Sequence, residues 1–291
     1  MSKIILYDIP SRLSPQAWAP NPWKARYVLN YKRLAYETHW VSYPDIAALW
    51  QKLGLSLLEN EPNSTLPVIS VPSKDGGPPS VIADSFKIAL FLDREYPDTP
   101  RVLPPNTVAL QAAFVQHVLA TTFVAHLRPM ILQRVLEKLD ERGAEYFTRT
   151  RQKWYCPEGV SIKELCPPGS EKYKQQMEKL RAGLNTINGF LLSNGQLEDD
   201  AMSPLLENYP SSPLTSSPSG YRHWVMGTDG PTFADFCLGG ILVWVRTVGG
   251  EGLEGPDGKG GNNDLWKNIS TWNGGRWARF AKALEEWETI V

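Results

Sequence analysis

Apolar positions change their period along the chain, and the change separates two regions. Residues 3–9 form a short apolar run of strand length, and Tyr36 to Tyr43 alternates as a second strand. Between them Trp23, Tyr27, Tyr31 and Leu34 fall on one helical face behind Pro22, which presets a first turn, so the spacing predicts a helix over 22–34. A further helical segment is expected around 46–58. Pro67 then heads the β-branched run Val68-Ile-Ser-Val71, Gly76-Gly-Pro-Pro79 reads as a turn, and 80–83 reads as a strand. Ile88, Ala89, Leu92 and Tyr96 predict a helix over 84–96. The resulting order, β-α-β-α-β-β-α, places a parallel pair beside a hairpin with helices covering the sheet, which is a thioredoxin-like arrangement over residues 1–97.

After a proline-rich linker at 98–105 the pattern is helical throughout, so an all-helical second domain is expected over 106–291. Leu110, Phe114, Val118 and Thr121, continued by Ile131, Val135 and Leu139, mark a long helix that Pro129 should kink or divide. Tyr173, Met177, Leu180, Leu184, Ile187 and Leu191 mark another, Phe233, Cys237, Ile241, Trp244 and Val248 a third, and Phe280, Leu284 and Trp287 a last one. Three insertions, 143–170, 198–230 and 249–264, exceed ordinary bundle connections. They read either as surface loops or as a dimer contact or wall of a substrate site.

Composition narrows the function. With 291 residues, 42% of them apolar, and 11 Trp, the chain can bury a sizeable core. Thirty basic against 31 acidic residues, with no basic block, give no support to a nucleic-acid partner. The apolar run near the N-terminus is too short for a signal peptide, and no stretch of 18 apolar residues is evident, so no membrane association and a cytoplasmic location are expected. Three cysteines, Cys156, Cys166 and Cys237, lack metal-ligand spacing and a CxxC redox motif, so neither a metal site nor a disulfide framework is expected.

The most informative stretch is Ser64-Thr-Leu-Pro67 with Val81-Ile-Ala-Asp84-Ser85 opening the next helix. Pro67 at a strand start holds Leu66 extended, where outward backbone groups can pair with an extended peptide as an added strand. The following helix offers unpaired N–H groups to a carboxylate, and an acidic residue there suits an ammonium. Together they form a cradle for an extended peptide with a free carboxylate.

These residues, followed by an all-helical domain, resemble the cytosolic glutathione transferases over nearly the whole chain. Thr232-Phe-Ala-Asp235 has the form of a capping box, a device those proteins carry in a buried helix of the second domain. Ala19-Pro-Asn-Pro-Trp-Lys-Ala-Arg-Tyr-Val-Leu-Asn30 and Tyr43-Pro-Asp45 resemble the fungal etherase-related class, similar to bacterial β-etherases. In that class a serine opens the first helix and supports the glutathione thiolate; here the position is Ala19.

The resemblance implies glutathione as co-substrate, with Leu66 and Pro67 at the cysteinyl backbone and Asp84 and Ser85 at the γ-glutamyl end. Lys52, or less favourably His39, is the cation expected for the glycyl carboxylate. In place of the serine, the amide and backbone N–H of Asn21 are expected to stabilise the thiolate, with Lys24 a more distant charge. Ser11, Ser14 and Tyr7 are weaker alternatives. Phe114, His117, Thr121 and His126 are expected at a hydrophobic acceptor site between the domains, while Trp224 and Trp244 read mainly as packing residues. A homodimer that conjugates or reductively cleaves small aromatic molecules in detoxification is the function implied. A glutathione-binding ligandin with little turnover is the alternative, because of Ala19.

Overall fold

The computed structural model describes residues 3–59, 62–195, 224–250 and 264–291. Strands β1 (Ile4–Asp8), β2 (Tyr36–Trp40), β3 (Val68–Val71) and β4 (Ser80–Ala83) form one sheet in the order β2-β1-β3-β4. β1 pairs parallel with β2 and antiparallel with β3, and β3 pairs antiparallel with β4. Every residue of β3 is buried, as expected where both faces of a strand are covered. Helices α1 (Pro20–Tyr31), α2 (Ile46–Lys52) and α3 (Ser85–Glu95) complete a thioredoxin-like unit. Helix α1 starts two residues before the expected position, and α2 is a short helix behind a 3₁₀ turn at Tyr43–Asp45.

Two buried ion pairs fix α1. Arg26 meets Asp8 of β1 at 2.7 Å with both side chains fully enclosed, and Lys32 meets Asp93 of α3 at 2.8 Å. Asp93 also accepts from the backbone N–H groups of Val102 and Leu103, so the segment leading into the helical region is tied to α1 and α3 by one charge network. Removing one member would strand a buried charge at a cost of about 3–5 kcal/mol.

The second region is helical. Helix α4 (Val108–Ala113) continues through a π-helical stretch, Phe114–Val124, into α5 (Ala125–Leu136). Pro129 lies inside α5 and does not divide it. It sits one turn beyond the π stretch, where it removes a single α-type hydrogen bond. Val108–Leu136 contains an 18-residue window with a mean hydropathy of 1.5, so by length and composition alone it could cross a membrane, although no 18 consecutive residues in it are apolar. In the fold it packs against later helices and lines a cavity.

The segment 143–170, read either as a surface loop or as a dimer contact or site wall, is largely helical. It holds α6 (Glu141–Tyr155), capped by Asp140 accepting from the Gly143 N–H at 2.7 Å, and α7 (Ile162–Leu165), opened by a Ser161–Glu164 capping box. Helices α8 (Glu171–Gly195), α9 (Phe233–Val248) and α10 (Leu265–Leu284) follow, the last bent at 272–275. Residues 198–223 and 251–263 of the other two insertions lie outside the described residues.

Helix α9 is the central element of the helical region. Its capping box is formed, with the Thr232 N–H and hydroxyl both donating to Asp235 Oδ2 at 2.8 and 2.7 Å, while Asp235 Oδ1 accepts from the Val225 N–H. Complete burial pushes the Asp235 carboxyl up to about 6 against the lowering effect of these bonds. Where α9 crosses α1, a Cβ on Gly240 would stand 2.7 Å from the Pro20 carbonyl oxygen. Only glycine allows that approach, which sets the start of α1 against the helical region.

Candidate functional site

The start of α1 has an unusual donor pattern. Ala19 is its N-cap residue, with extended backbone and no side-chain cap, and Pro20 and Pro22 carry no N–H. The first paired donor is Trp23, bonded to the Ala19 carbonyl at 3.2 Å. Asn21 therefore supplies the one N–H of the first three helical residues, and among the described residues it has no partner. The Asn21 side chain is exposed, and its amide oxygen accepts from Lys24 Nζ at 2.8 Å. Because an ammonium can only donate, this contact fixes the oxygen and leaves the amide NH₂ for an acceptor. The start of α1 thus carries three donor features, the Asn21 N–H, its NH₂ and the positive end of the helix dipole.

The start of α3 has the complementary design. Asp84 caps it, with one carboxylate oxygen accepting from the N–H groups of Phe86 and Lys87 at 3.0 Å each, and among the described residues the other oxygen has no hydrogen-bond partner. The Ser85 N–H is the donor left over in this first turn among the described residues. Asp84 has φ of 81° and ψ of 127°, a conformation that costs of order 1–3 kcal/mol in a non-glycine residue and clusters at ligand clamps. Its N–H reaches back to the Pro67 carbonyl at 3.3 Å, joining the helix start to the strand edge. The Leu66–Pro67 peptide bond is cis, and among the described residues neither backbone group of Leu66 has a hydrogen-bond partner.

A cavity of about 380 Å³ lies between the sheet region and the helices. Its floor is Ala19, Asn21, Lys24 and the edge Ser64, Thr65 and Leu66; Cys237, Ile241 and Trp244 of α9 close one side. Val115, Leu119, Ala120 and Val124 of the π stretch, with Arg128 and Leu132 of α5, form a second side. Tyr43 and the α6 residues Tyr146, Phe147, Arg151, Trp154 and Tyr155 form the third. Burial raises the Tyr43 phenol against the opposing effect of the Arg151 guanidinium bonded to it, so the phenol stays neutral near pH 7.

Several expected residues stand elsewhere. Phe114 is buried, His117 and Thr121 are exposed, and His126 bonds Gln176 at 3.2 Å; none of the four lines the cavity. The cause is the helix period. A 3.6-residue reading gives 110, 114, 118 and 121, whereas the wider π turns bring 115, 119, 120, 124 and 128 to one wall. The Thr121 and Thr122 hydroxyls donate to the carbonyls of His117 and Val118, giving those acceptors a second donor and easing the change of pairing. Lys52 and His39 border a separate hollow with Tyr7, Trp40 and Leu53, where Tyr7 meets His39 edge to face. Ser11 is turned into its own loop, bonding the Gln16 carbonyl, and neither it nor Ser14 lines the cavity. Trp244 lines it and Trp224 is core.

Sequence reasoning did not assign Arg128, Tyr43 or the individual residues of the α6 face to the site, although a wall of the substrate site was one of its readings of 143–170. Their signal was available as aromatic, polar and aromatic pairs four residues apart: Tyr146-Phe147, Thr150-Arg151 and Trp154-Tyr155. The segment contains no leucine or isoleucine, so it lacked the usual mark of a buried helix. Among the described residues no group of His, Cys, Asp or Glu is placed to hold a metal ion.

Comparison with known proteins accounts for this geometry. Residues 18–95 match the family model of the glutathione S-transferase N-terminal domain, and residues 109–206 and 210–287 match that of the C-terminal domain. The chain is 29% identical to the glutathione S-transferase-like protein ustS of Aspergillus flavus, over 98% of this chain and 91% of that one. A glutathione S-transferase of Ceriporiopsis subvermispora, solved in complex with glutathione, is 35% identical with a TM-score of 0.78, covering 100% of this chain and 99% of that one. Glutathione transferase GSTFuA3 of Phanerochaete chrysosporium is 32% identical with a TM-score of 0.77 at the same coverage. With both domains matched in order and the fold shared from end to end, the chain belongs to the glutathione transferase family.

Proposed function

We propose that this chain is a glutathione-dependent enzyme that conjugates or reductively cleaves small aromatic molecules. The observation that carries the reading is the meeting, in one cavity, of the Leu66 edge, the donor-rich start of α1 and an apolar wall from the helical region. Residues 1–97 bind glutathione, 98–105 link, and 106–291 supply the acceptor side. The glutathione backbone pairs along Leu66 ahead of Pro67, its ammonium faces the open oxygen of Asp84, and its γ-glutamyl carboxylate meets the Ser85 hydroxyl and N–H. The thiol points to the start of α1, where Asn21 donates to the sulfur anion and lowers its proton affinity. The protein acts in the cytoplasm as a homodimer.

Steady-state assays with an aryl halide, a hydroperoxide and a β-aryl ether test this. Asn21→Ala should lower kcat/KM by about tenfold or more, and Ala19→Ser should raise it, since each changes one donor at the developing thiolate. One observation favours a second reading: the N-cap position offers no hydroxyl to the sulfur. A ligandin would bind aromatic molecules at micromolar concentrations while turnover matched the uncatalysed rate, and that pair of results would replace the enzyme reading.

A further inference from the structure

The charged groups bordering the cavity are of one sign. Lys24, Arg128 and Arg151 contribute to it, and among the described residues no aspartate or glutamate does. The two guanidiniums are also held in an unusual way. Arg151 Cζ lies 4.6, 4.5 and 4.9 Å from the ring centroids of Tyr43, Phe147 and Trp154, and Arg128 Cζ lies 4.8 Å from that of Tyr155. Trp154 and Tyr155, each in contact with one of the two guanidiniums, meet edge to face at 6.3 Å. Arg151 donates to Thr150 Oγ1 at 2.8 Å and bonds the Tyr43 hydroxyl; among the described residues neither arginine has a carboxylate within 4.0 Å. A guanidinium carries five N–H donors, so those of Arg151 not used by Thr150 and Tyr43, and those of Arg128, remain for a carboxylate, and a half-enclosed cavity strengthens that interaction over its value in water.

We propose that the wall formed by α5 and α6 is an anion subsite that selects aromatic carboxylates as the second ligand. Arg128 and Arg151 take the carboxylate, and Val115, Leu119 and Val124 take the ring. The inference rests on the reading that glutathione occupies the Leu66 edge, and it goes further by giving the acceptor a charge. A neutral aromatic would leave these positive groups facing an apolar surface, a loss that a carboxylate avoids. The competing occupant is the glycyl carboxylate of glutathione itself, because Lys52 borders a different hollow.

The experiment compares cinnamate with cinnamamide, equal in shape and different in charge, by titration calorimetry on the full chain with and without glutathione. The native protein should bind cinnamate at least about tenfold more tightly, and the preference should shrink with added salt. In Arg128→Gln and in Arg151→Gln the preference should fall toward unity while glutathione affinity changes by less than about twofold. Equal affinity for the two native ligands overturns the proposal without the use of any variant. Loss of glutathione affinity in the arginine variants, with the cinnamate preference intact, assigns the pair to the glycyl carboxylate and also overturns it. Failure of the native chain to bind glutathione refutes the underlying reading instead, and the ligand pair still reports on the subsite.

Discussion

The two sides of the cavity are built from different materials. On the sheet side, recognition is assigned mainly to backbone: the extended edge at Leu66 and the single N–H left by two prolines at α1 border the cavity, while the N–H left by the Asp84 cap at α3 belongs to the same strand edge but not to the cavity lining. On the helical side it rests on side chains, with apolar residues of a π stretch facing an aromatic and arginine face of α6. A backbone site keeps its chemistry while neighbouring side chains drift, provided a few conformation-setting residues persist. A side-chain wall changes its ligand with each substitution. One half of the cavity is therefore suited to a constant co-substrate and the other to a variable partner.

The sharpest way to break this comparison is at Asp84, where a side chain is asked both to cap a helix and to meet an ammonium. Asparagine caps as well as aspartate and tolerates positive φ, so Asp84→Asn should leave the melting temperature within about 2 °C. Losing the charge-assisted contact should weaken glutathione binding by about 10- to 100-fold in a calorimetric titration. Asp84→Ala should lose both affinity and cap. If Asp84→Asn binds glutathione like the native protein, the γ-glutamyl end lies elsewhere and the sheet side is not the fixed half.

The helical side can be disturbed from behind. Gly183 of α8 lies so close to the π stretch that a Cβ there would stand 1.9 Å from the Thr122 carbonyl oxygen, a backbone atom with no rotamer to escape into. Gly183→Ala should cost about 1–3 kcal/mol and lower the melting temperature by about 2–5 °C, read by calorimetry. It should weaken aromatic ligands more than glutathione, because the displaced wall is the one carrying Val115, Leu119 and Val124. An equal loss for both ligands would mean that the two sides move as one.

The same contrast explains what the sequence made legible. The order of elements over the sheet region, and the Pro67 and Asp84 positions, were readable because proline and capping residues constrain backbone locally. The acceptor wall was not, because its determinants are non-local or off-period. The π stretch shifts every position after Phe114 relative to a 3.6-residue wheel, and α6 hides its buried face among arginines and threonines. Lys52 was placed by chain position alone, and α2 turns it toward a different hollow.

Cys237 tests the boundary between the halves with the smallest expected effect. It borders the cavity near Ala19, the place where a thiol would invite a mixed disulfide with glutathione. Its side chain is nevertheless enclosed, and burial pushes the thiol from the ordinary 9.0 up to about 12, with Lys24 drawing it back only in part. At pH 8 that shift cuts the reactive thiolate about a thousandfold. Cys166, also buried, is pushed up to about 11, whereas Cys156 is partly exposed. Alkylation of the native protein at pH 8, read by mass spectrometry, should therefore label Cys156 and spare Cys237 until the chain is unfolded, and oxidised glutathione should add no mass at Cys237. Rapid native labelling of Cys237 would mean that the seam between α1 and α9 opens, and the sulfur chemistry assigned to Asn21 would then have a rival in the same cavity.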